Sequence, residues 1–219
     1  MSIIADNVKR IRDELSGYEG RIIAVSKYVE ASKMQEAYEA GIKDFAESKA
    51  QDAPVKIESL PKEVQNNCTW HFIGHLQTNK AKKVVGSFDY IHSIDSLKLA
   101  TIVNDLAKER GLTQKILLQV NIADEEAKFG FSSKELFEVF PEIIKLKNIS
   151  VEGLMMMAPY LDDEATLTSF FRQMKTLKQK LECDFNFAIK ELSMGMSNDY
   201  KVATQEGSTM IRVGTKIFK

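Results

Sequence analysis

The chain has 219 residues and only two cysteines, Cys68 and Cys183, standing far apart. That excludes a disulfide framework and any cysteine-based metal spacing, and two reduced, packed thiols are the expectation. Charge of one sign is also lacking. Thirty Lys and Arg against 31 Asp and Glu leave a formal net charge of -1, with no basic stripe, which excludes the electrostatic footprint of a nucleic-acid binder. No apolar run approaches the ~18 residues that a membrane span needs. The opening MSIIADNVKRIRDEL is no secretory signal, because Ile3, Ile4, Val8, Ile11 and Leu15 recur at helical spacing with charges between them. Linkers, low-complexity tracts and hairpin turn signals are missing as well. These absences lead to a soluble, cytoplasmic protein whose residues 1–219 form one domain, with a hydrophobic share of 44% sufficient for a sizeable core.

What is present is an alternation of strand and helix. Short apolar, β-branched runs predict strands at 22–25, 42–46, 70–73, 90–94, 115–122, 151–157, 191–194 and 210–213. Between them lie helical segments, among them 31–40, 97–110 and a long amphipathic stretch from Asp162 to about Leu181. Pro141 is expected to break its helix or to open a new one. Eight strands divided by helices predict a (β/α)8 TIM-type barrel with an extra N-terminal helix. An open doubly wound sheet shares the pattern, and the count of eight favours the barrel.

In such a barrel the chemistry sits at the C-terminal ends of the strands. The first strand ends in Ser26-Lys27, the seventh in LSMGMSND and the eighth in IRVGT. Gly195, Ser197 and Asn198, followed by Gly214 and Thr215, stand where barrels hold a phosphate, although each segment alone is also an ordinary helix start. Alternation points Arg212 into the barrel, towards either a carboxylate such as Glu47 or Glu152 or a ligand atom, and the sequence leaves the two even. Lys27 is either a solvated strand-end charge or an amine able to form a Schiff base. Lys128 is read as solvated, with a second amine at the mouth as the alternative. His71 and His75 flank Gly74 without metal spacing, and with His92 they read as packed or hydrogen-bonded. Met155–Met157 reads as barrel filling that includes a possible contact to a ligand ring.

AVSKYV, WHFIGHLQTNK, IHSID, LQVNIADEEAKFGF, EGLMMMAP and LSMGMSNDYKVATQEGSTMIRVGT, in this order, resemble the pyridoxal phosphate homeostasis protein family, single-domain relatives of the alanine racemase barrel domain. The resemblance covers nearly the whole chain. It implies that Lys27 holds pyridoxal 5'-phosphate as a Schiff base, that Ser197, Gly214 and Thr215 hold its phosphate, and that Arg212 faces the pyridine nitrogen. One departure stands out. Where the family usually has phenylalanine-glycine-glutamate-asparagine, this chain has Phe45-Ala46-Glu47-Ser48, so the family's asparagine contact is not carried over to Ser48.

An arginine opposite the ring nitrogen cannot accept its proton, which weakens the ring as an electron sink. The second base of the alanine racemases comes from another domain and the partner subunit, and this chain has no such domain. The expectation is therefore a non-catalytic protein that carries and buffers the cofactor in vitamin B6 homeostasis and hands it to recipient apo-enzymes. A monomer is the default. The runner-up is a pyridoxal-dependent amino-acid racemase or related enzyme. A third reading, from the fold and Lys27 alone, is a Schiff-base aldolase acting on a sugar phosphate.

Overall fold

A computed structural model describes residues 2–125 and 129–219; Lys128 lies outside the described residues. Eight parallel strands close into a barrel in strict chain order: β1 (Arg21–Val25), β2 (Asp44–Glu47), β3 (Thr69–Phe72), β4 (Tyr90–Ile94), β5 (Gln114–Gln119), β6 (Ile149–Met155), β7 (Glu191–Met196) and β8 (Met210–Val213). Closure is made by β1 against β8, with Arg21 opposite Met210 and Ala24 opposite Val213. The expected barrel is what forms, and the open sheet is excluded.

Strand alternation divides the side chains into two layers. Ile23, Ala46, Tyr90, Leu117, Met155 and Met210 fill the interior. Ala24, Phe45, Ile91, Ile116, Ile211 and Val213 face outward into the larger core under the helices. The helices are α1 (Ile3–Glu14), α2 (Ala31–Glu39), α3 (Asp52–Glu58), α4 (Lys62–Asn67), α5 (Ala81–Val84), α6 (Leu97–Glu109), α7 (Ser133–Ile143), α8 (Glu164–Phe185), α9 (Tyr200–Gln205) and α10 (Thr215–Phe218). Several starts are capped as their sequences suggest. Ser96 accepts from the Leu99 N–H at 3.2 Å and Ser132 from the Glu135 N–H at 3.1 Å.

Helix α1 stands before the first strand and packs on α2 and α10. The buried Asn7 side chain donates to the carbonyls of Ile217 (3.1 Å) and Lys219 (2.9 Å), and the Tyr200 hydroxyl donates to the Glu14 carboxylate. The first helix is thereby tied to the segments that follow β7 and β8.

Three local expectations are corrected. Helix α7 runs through Pro141, which sits in its final turn, where the ring disturbs little helix beyond it. Strand β2 begins at Asp44, because Ile42 packs in the outer core ahead of it, and β6 ends at Met155. Cys183 is exposed on α8, so only Cys68 is partly packed; burial pushes the Cys68 thiol up to about 11.

Candidate functional site

Lys27, Ser197, Arg212, Gly214 and Thr215, all singled out from the sequence, line one cavity of about 510 Å³ at the C-terminal ends of the strands. Its size is that of a small-molecule site. Met155 and Met157 also line it, whereas Met156 turns into the outer core. Lys27, Gly214 and Thr215 border a second hollow of about 540 Å³ as well, shared with Tyr28, Lys33 and Phe218, so Lys27 stands on the ridge between the two. A larger groove of about 830 Å³ lies between α7 and α8 and shares no residue with the strand-end cavity.

Lys27 is exposed, with its Nζ 5.3 Å from the centre of the Tyr28 ring. The turn that carries it is held from below. Buried Ser26 donates to Glu47 Oε1 at 2.7 Å, and Lys56 on α3 reaches the same oxygen at 2.6 Å. Lys56 also donates to the carbonyls of Ser26 (2.7 Å) and Val29 (3.1 Å), clamping both ends of the turn. Glu47 is thus committed to Lys56 and Ser26, and Glu152 to Lys190 at 3.3 Å on the rim of the barrel.

The internal ion pair between Arg212 and either acid is therefore ruled out. Arg212 is 4% exposed and donates to two neutral acceptors, Ser193 Oγ at 2.6 Å and the Met156 carbonyl at 2.8 Å. Burial draws its guanidinium down to about 10, with the Asp199 charge acting against that fall. It stays a cation at neutral pH, fixed through Nη1 and Nη2, and lines the cavity with more N–H donors than these two bonds use.

At the ends of β7 and β8, the Gly214 N–H donates to Ser197 Oγ at 3.3 Å, which joins the two loops. Thr215 opens α10, so its N–H and that of Lys216 have no acceptor within the helix. A Cβ on Gly214 would lie 3.2 Å from the Val25 carbonyl and 3.3 Å from the Val25 Cβ, so a side chain here would push this backbone a few tenths of an ångström away from β1. Gly195 does something else. Its φ of +94° and a Cβ position 2.6 Å from Ala203 Cβ show that it lets α9 pack on β7, and it does not face the cavity. Asp199, at the head of α9, accepts from the Met196 N–H at 2.5 Å, and burial pushes its carboxyl up.

The histidines are hydrogen-bonded or stacked, as expected. His71 and His92 are buried and face each other at 2.9 Å, while His75 stacks on Phe129 at 3.6 Å. No cluster able to hold a metal occurs among the described residues. No helix is long and apolar enough to cross a membrane among the described residues. Ser48 lines the cavity, and its carbonyl leaves no room for a Cβ on Gly74. Lys56 and Ser193 were missed in the sequence, and His92 was read as packed or hydrogen-bonded with no partner assigned. Lys56 lies in an unremarkable polar helix, and the other two are internal strand positions whose partners come from distant strands.

A closed barrel with a lysine after the first strand and anion-ready loops after the last two is a barrel of the alanine racemase N-terminal type, and the alanine racemase N-terminal domain family matches residues 1–219. The chain belongs to the pyridoxal phosphate homeostasis protein family. It is 41% identical to the pyridoxal phosphate homeostasis protein of Synechocystis, with 90% of each chain covered, and 37% identical to that of Aquifex aeolicus, with 90% and 86% covered. Among solved structures, PipY of Synechococcus elongatus without pyridoxal phosphate superposes with a TM-score of 0.91 at 37% identity, covering 99% of this chain and 100% of that one. PipY with pyridoxal phosphate bound gives 0.89 at 36%, with the same coverage. Alanine racemase of Clostridium difficile, at 15% identity and a TM-score of 0.78, covers 98% of this chain and 56% of its own and shares the fold.

Proposed function

We propose that this chain, residues 1–219 acting as one unit, binds pyridoxal 5'-phosphate and carries or buffers it in vitamin B6 homeostasis, for delivery to recipient apo-enzymes. The observation that carries the reading is Arg212: a buried cation whose acceptors among the described residues are both neutral, in the same cavity as Lys27, Ser197, Gly214 and Thr215. The ligand supplies an aldehyde that condenses with an amine, and a pyridine ring. Lys27 provides the amine for a Schiff base. Ser197, Gly214 and Thr215 hold the phosphate through a hydroxyl, a close backbone and the open N–H groups of a helix start. Arg212 donates to the ring nitrogen and, having no acceptor, keeps a proton off it. The family relatives, and PipY with pyridoxal phosphate bound, support this assignment.

The chain is proposed to be non-catalytic, monomeric and cytoplasmic. A pyridoxal-dependent racemase is the second reading, favoured by one observation: Tyr160, 84% exposed, lines the same cavity as Lys27 and offers a phenol as a second acid/base group. An absorbance spectrum of protein loaded with pyridoxal phosphate, then borohydride reduction and peptide mapping, tests the first reading. A bleachable band and a pyridoxyl adduct on Lys27 are expected. A protein that takes up no pyridoxal phosphate overturns the proposal, and amino-acid turnover abolished by Lys27→Ala selects the racemase.

A further inference from the structure

A chain of polar side chains crosses the apolar interior of the barrel. Arg212 Nη1 lies 2.6 Å from Ser193 Oγ, which lies 3.0 Å from His92 Nδ1. His92 Nε2 is 2.9 Å from His71 Nδ1, and His71 Nε2 is 3.0 Å from Asp44 Oδ1. Asp44 is the first residue of β2, at the end of the barrel opposite the mouth, and also accepts from Arg21 at 3.1 Å. Ser193, His71 and His92 are each within 1% of complete burial.

The two ends fix the direction. A guanidinium can only donate and a carboxylate can only accept. Ser193 Oγ accepts a hydrogen bond from Arg212 and donates its own hydroxyl hydrogen to His92 Nδ1. His92 then donates from Nε2 to His71, and His71 donates from Nε2 to Asp44. The reverse order would set the bare His71 Nε2 against a carboxylate oxygen at 3.0 Å, two lone pairs face to face. Both imidazoles must be neutral for this order, and burial lowers both, His92 well below the usual imidazole value. The other groups around the lower end do not compete for His71. Tyr90 stacks flat on its ring at 5.0 Å, Arg21 and Lys115 lie over Tyr90, and Asp89 and Glu191 act only at a distance.

We propose that Asp44, His71, His92 and Ser193 are positioning residues for Arg212: a one-way hydrogen-bond chain, ordered by a carboxylate at the far end of the barrel, that sets how the guanidinium meets the ligand at the mouth. Each link polarises the next, so the acceptor strength of Ser193 depends on Asp44. The inference rests on the proposed pyridoxal phosphate site, which it deepens.

The test is heteronuclear NMR of the imidazole nitrogens in ligand-free protein, with pyridoxal phosphate titrations in parallel. In the native chain both histidines are expected to be neutral, with the proton on Nε2. Asp44→Ala is expected to populate the opposite form at both rings, to shift the absorption band of the bound ligand, and to weaken binding roughly tenfold, the scale of one charge-assisted hydrogen bond. Asp44→Asn, which keeps an acceptor oxygen, should restore both readouts. Ser193→Ala, which cuts the chain beside Arg212, should reproduce the weakened binding in a protein that remains folded. Asp44→Ala that leaves the His92 proton in place, or moves it without altering band or affinity, overturns the proposal. If the native chain takes up no pyridoxal phosphate, the functional reading has failed. The Arg212 Nε–H resonance then replaces the binding readout, and the chain stands only if that resonance shifts in Asp44→Ala.

Discussion

Glu47 and Lys56 meet at 2.6 Å directly beneath the turn that presents Lys27. Glu47 is buried, and Lys56 spends its other hydrogen bonds on the carbonyls of Ser26 and Val29. The pair is a bracket for the candidate Schiff-base lysine, contributed by a strand and a helix that do not themselves touch the ligand cavity through these side chains.

Removing one half of that bracket leaves the other charge stranded. Lys56→Met is expected to lower unfolding free energy by about 3 kcal/mol, the penalty of an uncompensated buried carboxylate. The double variant Glu47→Gln, Lys56→Met should cost less than the single one, because no bare charge remains. Urea unfolding of the three proteins measures both effects, and equal losses in the single and double variants would show the pair to be unimportant.

The two glycines near the mouth should fail in different ways. Gly195→Ala meets a positive φ and a contact of 2.6 Å with Ala203 Cβ, and should destabilise the fold by roughly 2–3 kcal/mol. Gly214→Ala meets only the 3.2 Å approach to Val25 and has an ordinary φ. It should change stability little and weaken pyridoxal phosphate binding, since the backbone must retreat from β1. Thermal melts and ligand titrations on both variants separate the cases.

Much of this was legible in the sequence. Strand count, barrel class and the five cavity residues follow from short β-branched runs and from what stands at their ends. The partners of Arg212 did not follow. Its neighbours Ser193 and Met156 are brought to it by strand stagger, which alternation within one strand does not encode. Gly195 was mistaken for part of an anion cradle because a loop glycine serves a close helix approach as readily as a ligand. Pro141 looked like a helix breaker because its tolerance in a final turn depends on where the helix ends, the least legible boundary.

Acid should loosen the protein through its interior histidines. Their pKa values in the folded chain are held below the ordinary imidazole value, by burial first in both cases. Their stabilisation as neutral rings is present above about pH 6.5, the unfolded imidazole value, and is lost as pH falls below it, because only the unfolded chain takes up the protons. Below the unfolded value the slope for His92 should approach about 1.4 kcal/mol per pH unit, with His71 adding to it in the same direction. Unfolding followed from pH 7.5 to 5.5 should show it. His92→Asn should remove one histidine's share, and a slope unchanged in that variant would contradict the assignment.

Asn7 offers a test of action across the chain. Asn7→Ala deletes two hydrogen bonds to the carbonyls that close α10, and should cost about 1–2 kcal/mol. Because α10 carries Thr215 at its start, ligand affinity should fall with it. Affinity retained in a destabilised variant would show that the last turn forms independently of α1.

The seam between β1 and β8 also has a consequence in time. The first barrel strand to leave the ribosome waits for the eighth, and Lys27 cannot meet Gly214 and Thr215 until β8 and α10 have been made. A nascent or truncated chain lacking β8 would carry the candidate Schiff-base lysine without the wall that confines a ligand against it. Confinement of the proposed ligand is in this way deferred until β8 has docked on β1, and ring closure becomes the step that completes the cavity.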